Sequence, residues 1–352
     1  MKVAIAGGGI AGGYLAMLLG QKGIRADVYD GRDHGTHCGC RSCGWGAPVG
    51  IGAYLTAVGL DLGEYILEPM TSMRFDGLVA RTPLCTVDKP RLIRELLKGT
   101  SWRREDLGSE RSEEYDVVVD ATGLARALLP PCRSDLTLPT LQNWVVVKSR
   151  VGGCLDAGVY GERIPGLGYL WIFPLGNGNY HIGIGGIGLA SLESLLEQFY
   201  RDSSNRFTFT TRCNCHGSIR VASPYYSTPF FVRKARENGT PQLIVGTGES
   251  IGTVSPFTGE GIVYSLECAR MLADSWLHPE DYTSAVLARF TWMKKERDTL
   301  DYLLSRRGES GPRLRDRWRF YLNAKRSGID LPILEAFRRL GSLSQWVGGP
   351  NS

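Results

Sequence analysis

Apolar residues are distributed along this chain in three textures, and each texture predicts a different kind of element. Short unbroken runs come first: Val3-Ala4-Ile5-Ala6, a helical stretch from Ala11 to Leu19, then Ala26-Asp27-Val28-Tyr29. The runs read as strands buried on both faces, as in a parallel sheet covered by helices. The same texture returns at Tyr115–Gly123 and at Gln242-Leu243-Ile244-Val245, so one sheet is interrupted and later resumed. Between about 140 and 232 the pattern changes to β-rich segments bounded by Gly, Asn and Pro: Trp144–Val147, Tyr169–Phe173 and Tyr180–Gly185. Beyond residue 260 strand signals fade, and Val263, Leu266, Ala269 and Leu272 repeat at helical spacing. The prediction is an α/β chain in which 1–139 and 233–275 form one discontinuous domain, 140–232 an inserted antiparallel β-sheet domain, and 276–352 a helical C-terminal region.

Glycine gives the first run its chemistry. Gly7-x-Gly9-x-x-Gly12 follows a strand and opens a helix, which is where a Rossmann-like dinucleotide-binding fold requires it. Gly7 permits the tight turn, Gly9 lets backbone approach a pyrophosphate, and Gly12 lets the helix pack on the sheet, with the first-turn amides near Ala11 facing the phosphate charge. Asp30, at the end of the second strand, is spaced to accept hydrogen bonds from an adenosine ribose. A second glycine-rich segment, Ile244-Val-Gly-Thr-Gly-Glu-Ser-Ile-Gly-Thr-Val-Ser-Pro-Phe-Thr-Gly-Glu-Gly-Ile262, opens another helix, with Thr258 as its expected N-cap. Two such segments can cradle an extended dinucleotide from two sides, which points to FAD. Gly123, closing the Ala-Thr-Gly after the third strand, belongs to the same cradle.

Composition narrows the class without naming an activity. The chain has 352 residues, 43% of them hydrophobic, enough for a sizeable core in one large or two ordinary domains. The N-terminal apolar run is broken by glycines, so it reads as strand and helix rather than as a secretory leader or membrane span. A cytoplasmic protein, or one peripheral to a membrane, is expected. The formal charge of +5 is modest, but basic residues crowd the stretch from Lys294 to Arg339. That excess reads either as a solvated helical face or as a surface for anionic lipid; no nucleic-acid partner is indicated.

Three landmarks in order, the Gly7-x-Gly9-x-x-Gly12 turn, the sheet motif Tyr169-x-Trp171-x-Phe173-Pro174 followed by a glycine-rich strand at 183–188, and Pro256-x-Thr258-Gly259-Glu260-Gly261-Ile262, resemble the geranylgeranyl reductase family. These are flavoproteins of the p-hydroxybenzoate hydroxylase fold that saturate isoprenoid double bonds. The resemblance covers roughly residues 1–275. It implies FAD contacts at Arg41, Cys43, Gly44, Gly246, Pro256, Gly259, Glu260, Gly261 and Ile262. It also implies an aspartate after the glycine matching Gly246, to bind the ribityl hydroxyls; this chain has Thr247 there, followed by Gly248-Glu249, so Thr247 is the expected contact and Glu249 a partial substitute. A prenylated lipid or other isoprenoid would be the substrate, with ferredoxin or NAD(P)H as external electron donor.

An isolated alkene accepts hydride only if a proton reaches the other carbon at about the same time. Reduced flavin would supply the hydride, an aromatic slot would hold the prenyl chain, and an acid or water the proton. Tyr169, Trp171 and Phe173 alternate along a strand and so share one face. Cys43, Tyr169 and Trp171 are the catalytic candidates, Cys43 foremost because an unperturbed thiol is mainly protonated at neutral pH. His181 reads as a structural strand histidine. Cys38, Cys40 and Cys43 form one knot, and Cys213, Cys215 and His216 another. Buried thiols, a redox pair such as Cys40-x-x-Cys43, and a metal site drawing on Cys38, Cys40, Cys213, Cys215 and His216 remain open. Two further functions stay in view: a flavin-dependent monooxygenase of an aromatic substrate, and a non-catalytic flavin or metal redox sensor.

Overall fold

The computed structural model describes residues 1–32, 43–305 and 313–333, apart from 77, 162–163, 165, 190, 237, 327 and 331. In chain order the elements are β1 (Val3–Ala6), α1 (Ile10–Gln21), β2 (Ala26–Tyr29), β3 (Gly46–Pro48), α2 (Gly52–Thr56), β4 (Ile66–Phe75), β5 (Leu78–Val87), α3 (Lys89–Leu97), β6 (Ser101–Arg103), α4 (Ser109–Ser112) and β7 (Val117–Asp120). There follow β8 (Thr137–Ser149), β9 (Gly158–Tyr160), β10 (Leu167–Pro174), β11 (Asn179–Ile187), α5 (Leu192–Ser203), β12 (Phe207–Arg220), β13 (Phe231–Ala235), β14 (Pro241–Gly246), α6 (Ile262–Asp274), α7 (Pro279–Arg289), α8 (Thr291–Ser305) and α9 (Leu314–Arg326).

Two sheets carry the fold. The first has strand order β13-β14-β7-β1-β2-β6, parallel except for the β13–β14 hairpin. Its strands read as continuous apolar runs because both faces are covered: Val3 to Ala6 and Val117 to Val119 are all buried, as are Tyr14, Leu15 and Leu19 of α1. The second sheet runs β12-β8-β11-β10-β9-β4-β5-β3, antiparallel except where β4 meets β9. It takes in β3, β4 and β5 from residues 46–87 and so extends beyond 140–232. One of its faces packs Leu170, Ile172, Ile182 and Ile184 against Leu196 and Phe199 of α5. The opposite face is turned toward the cofactor-type turns.

The C-terminal helices close the molecule behind the second glycine segment. Much of the basic excess there is paired internally: Lys294 with Asp298, Arg297 with Asp301, Arg319 with Asp316, and Lys325 with Asp330. Among the described residues no helix is long and apolar enough to cross a membrane.

Candidate active site

The first glycine turn is built as its spacing requires. Gly7 has φ +102°, and a Cβ there would overlap the carbonyl oxygen of Ala121 in the strand-end loop after β7. The N-cap of α1 is Gly9, with no side chain capping the helix, so the amides of Ile10, Ala11 and Gly12 are left for an anion. A Cβ on Gly9 would meet only Arg32 Nη2, 3.8 Å away, which leaves room for a ligand to approach the backbone.

Asp30 occupies the predicted place, and its carboxylate is heavily engaged. It accepts from Gly8 N at 2.7 Å, from Arg32 N at 3.0 Å and from Arg32 Nε at 2.6 Å, with Arg32 Nη2 closing a bidentate pair. A carboxylate has about four acceptor positions, and these bonds fill them. Arg32 carries no signal in the glycine fingerprint and was missed; it stands over Gly9 beside the turn.

The two glycine segments meet. A Cβ on Gly248, whose φ is +68°, would lie 2.9 Å from Ala11 Cβ. At this junction the side chain of Thr247 does not reach the surface. Thr247 is fully buried, donates its amide to Asp120 O, and turns its hydroxyl into the core against Cys268 and Tyr282. Glu249 faces the cradle instead: Oε1 accepts from Arg220 N at 2.9 Å, and Oε2 is the nearest atom to a Cβ built on Gly123, at 3.3 Å. Between the two residues the chain takes a left-handed turn at Gly248.

The segment after it folds on itself. Ser255 N donates to Glu260 O and Gly259 N to Ser255 O, both at 2.9 Å. Thr258 is not the N-cap of α6; Gly261 is, without a capping side chain, and Thr258 Oγ1 instead accepts from Glu260 N at 3.3 Å. The amides of Ile262 and its neighbours at the start of α6 therefore stay open beside Pro256, Gly259, Glu260 and Gly261. From behind, Ser255 Oγ accepts from Thr258 N at 3.2 Å and donates to Glu296 Oε2 at 2.9 Å. Burial pushes the Glu296 carboxyl up to about 8.

The sheet supplies the facing wall. Register places side chains in lateral rows on one face: Tyr169, Gly185, Thr140 and Gly217; Trp171, Gly183, Gln142 and Cys215; Phe173, His181, Trp144 and Cys213. A Cβ at Gly183 would overlap the Trp171 indole, so that glycine is what lets the ring lie flat across the sheet. Tyr169 and Trp171 ring centroids are 6.0 Å apart. Tyr169 donates its hydroxyl to Thr258 O, joining wall to loop. Burial and the nearby Glu260 carboxylate raise the Tyr169 phenol, which keeps it protonated.

Gln142, missed in the sequence, ties two catalytic candidates together. Its Nε2 donates to Cys43 O at 3.1 Å and its Oε1 accepts from Trp171 Nε1 at 3.0 Å. Lys89 Nζ donates to Cys43 Sγ at 3.3 Å, a second contact that no motif announced. Gly44 lies against Phe173. Cys43, Tyr169 and Trp171 thus share one surface, whereas Arg41, Cys38 and Cys40 lie outside the described residues. His181 is fully buried, edge-on to Trp45 at 4.5 Å, and burial depresses its pKa to about 4, so it is a neutral structural ring. Cys43 is a thiol, not half of a disulfide. His216 is exposed, pairs with Glu193 at 3.7 Å, and by strand alternation faces away from Cys213 and Cys215, so it cannot join them around a metal. Among the described residues no group of three or more His, Cys, Asp or Glu side chains could hold a metal ion.

No family model matches the chain. An uncharacterized protein of Methanocaldococcus jannaschii is 21% identical over 86% of this chain and 90% of its own length. Digeranylgeranylglycerophospholipid reductase 1 of Methanopyrus kandleri is 28% identical over 40% of this chain and 37% of its own. A geranylgeranyl bacteriochlorophyll reductase-like structure from Thermoplasma acidophilum superposes with a TM-score of 0.63 at 17% identity, covering 96% of this chain and 98% of that one. PqsL of Pseudomonas aeruginosa, a probable FAD-dependent monooxygenase, gives 0.51 at 17% identity over 86% and 94%. The chain has the FAD-binding fold of the flavin-dependent reductases and monooxygenases, and its resemblance to the geranylgeranyl reductase family holds in both sequence and structure.

Proposed function

We propose that the chain is an FAD-dependent oxidoreductase that reduces carbon–carbon double bonds of an isoprenoid chain carried on a lipid or related prenyl compound. One observation carries the reading: the aromatic column of β10 meets the loop at 255–261 through the Tyr169 hydroxyl on Thr258 O, and Gly248, earlier in the same glycine segment, lies against Ala11 at the first glycine turn. The amides at the start of α1 would take the pyrophosphate, Glu249 and Asp30 the hydroxyl-bearing chain and ribose, and the start of α6 the ring system. Bound and reduced, FAD would supply the hydride.

The residues do the rest. Trp171, Tyr169 and Phe173 offer π faces that exclude water from an apolar chain and stabilise positive charge developing on it. Cys43, its carbonyl bonded to Gln142 and its Sγ contacted by Lys89, would hold the proton. The test is direct. Purified protein should show flavin absorbance, and under anaerobic reducing conditions a prenylated lipid should gain two mass units per bond saturated. Absence of bound flavin, even after addition, overturns the reading. The fold likeness to PqsL supports one alternative, oxygen-dependent hydroxylation of an aromatic compound, which would appear as a gain of sixteen mass units, the weight of one oxygen atom.

A further inference from the structure

The sequence landmarks end near residue 275, yet the helices beyond them hold the loop on which the cofactor reading depends. α8 is fixed in the core: Trp292, Met293, Leu300 and Leu303 are buried, and Arg297 Nη1 donates to Ser134 O at 3.2 Å and to Ala222 O at 3.3 Å. Glu296 and Thr299 stand three residues apart and so share one face of α8. Glu296 Oε2 accepts from Ser255 Oγ at 2.9 Å, and Ser255 Oγ accepts from Thr258 N at 3.2 Å. Thr299 Oγ1 donates to Asp316 Oδ1 at 3.1 Å and accepts from Arg319 Nη1 at 2.9 Å, which fastens α9 to α8. Asp316 and Phe320 are one turn apart on α9, and the Phe320 ring stacks on Phe257 with centroids 3.7 Å apart and planes 10° from parallel.

The loop at 255–261 is therefore gripped from two sides. The sheet holds Thr258 O through the Tyr169 hydroxyl, while α8 and α9 hold Ser255 and Phe257, and α6 begins directly after the loop. Glu296 is the telling member. Burying a carboxyl is costly, and an apolar side chain would fill the same space without that cost; what it could not do is bond Ser255 Oγ. We propose that Glu296 and Phe320 are positioning residues of the cofactor site, which fix where the open amides at the start of α6 stand against a flavin ring and so tune its reduction potential. The proposal rests on the flavin reading given above. Amides at a helix start carry partial positive charge, and reduction adds negative charge to the ring. Amides held close therefore favour the reduced form, and amides free to drift favour it less.

The experiment titrates the FAD-loaded full chain against a redox dye of known potential, with unfolding midpoints measured alongside. Phe320→Ala should weaken the preference for the reduced form about tenfold, which is about 30 mV for a two-electron couple. Ser255→Ala, which cuts the link to Glu296 without altering either helix, should move the potential in the same direction. Phe320→Tyr keeps the stack and Glu296→Gln keeps the acceptor oxygen, so both should stay within a factor of two of wild type. Leu314→Ala, at a position 71% exposed on the same helix, is the control and should do the same. Flavin bound at an unmoved potential in Phe320→Ala and Ser255→Ala overturns the proposal, even where the unfolding midpoint falls, because the contacts would then be structural only. An equal shift in Leu314→Ala also overturns it. Wild-type protein that binds no flavin overturns the cofactor reading and this proposal with it.

Discussion

The two sheets solve opposite problems. The parallel sheet presents backbone: its ligand-facing surface is made of turns where side chains have been removed, at Gly7, Gly9 and Gly248. The antiparallel sheet presents side chains, three rows deep, and gives way to glycine where a neighbour needs the space, as at Gly183 beneath Trp171. A backbone site depends on conformation and is broken by adding a single carbon. A side-chain site depends on registration between strands, so it is broken by anything that tilts one column.

That contrast can be tested by four substitutions. Gly7→Ala should have the largest effect, because a Cβ there combines φ +102° with overlap of Ala121 O; a loss of about 4 kcal/mol in thermal or urea unfolding is expected, with no flavin retained. Gly183→Ala should cost about 2–3 kcal/mol by forcing Trp171 off the wall. Its diagnostic is a split: flavin binding persists while prenyl reduction falls, and loss of both together would show that the wall also builds the cradle. Glu249→Gln should weaken flavin binding roughly thirtyfold, about 2 kcal/mol, whereas Thr247→Val, buried and facing the core, should leave it within a factor of two or three. Titrating flavin fluorescence decides which residue faces the ligand.

A further effect concerns Glu296. Its folded pKa, raised to about 8 by burial, exceeds its ordinary value of 4.5, so between those limits the folded state binds more protons than the unfolded chain. Stability therefore falls as pH rises through that window and levels off above it, by about 1.4 kcal/mol between pH 6.5 and 7.5 from this group. Glu296→Gln should flatten the slope in urea melts across that window.

How much of this was legible follows from where the information sits. Gly7, Gly9, Gly12 and Asp30 act within one supersecondary unit, so their spacing in the chain is nearly their spacing in space. Tyr169, Trp171 and Phe173 were readable for a related reason: period-two alternation is a property of one strand. Gln142 was not readable, because its role exists only when β8 and β10 are joined through β11, and nothing in Thr140-Leu-Gln-Asn143 records that register. The strands at 46–87 were passed over since Ile66–Phe75 mixes proline, charge and methionine without clean alternation, a pattern that pairing on both sides tolerates. That Thr247 is buried while Glu249 is partly exposed has another cause. A left-handed glycine resets which residue faces the ligand, and counting from the preceding strand cannot see the reset.

If Asp30 takes a ribose, as proposed, the bond pattern there would make ligand arrival a substitution reaction. Arg32 already holds both carboxylate oxygens, so an incoming ribose would have to compete with Arg32 for them. The guanidinium is about one-third exposed, within reach of dissolved ions. Added salt, which loosens an ion pair of this kind, should therefore quicken the loading of a nucleotide here, the opposite of what a site assembled only from attractive charges would do.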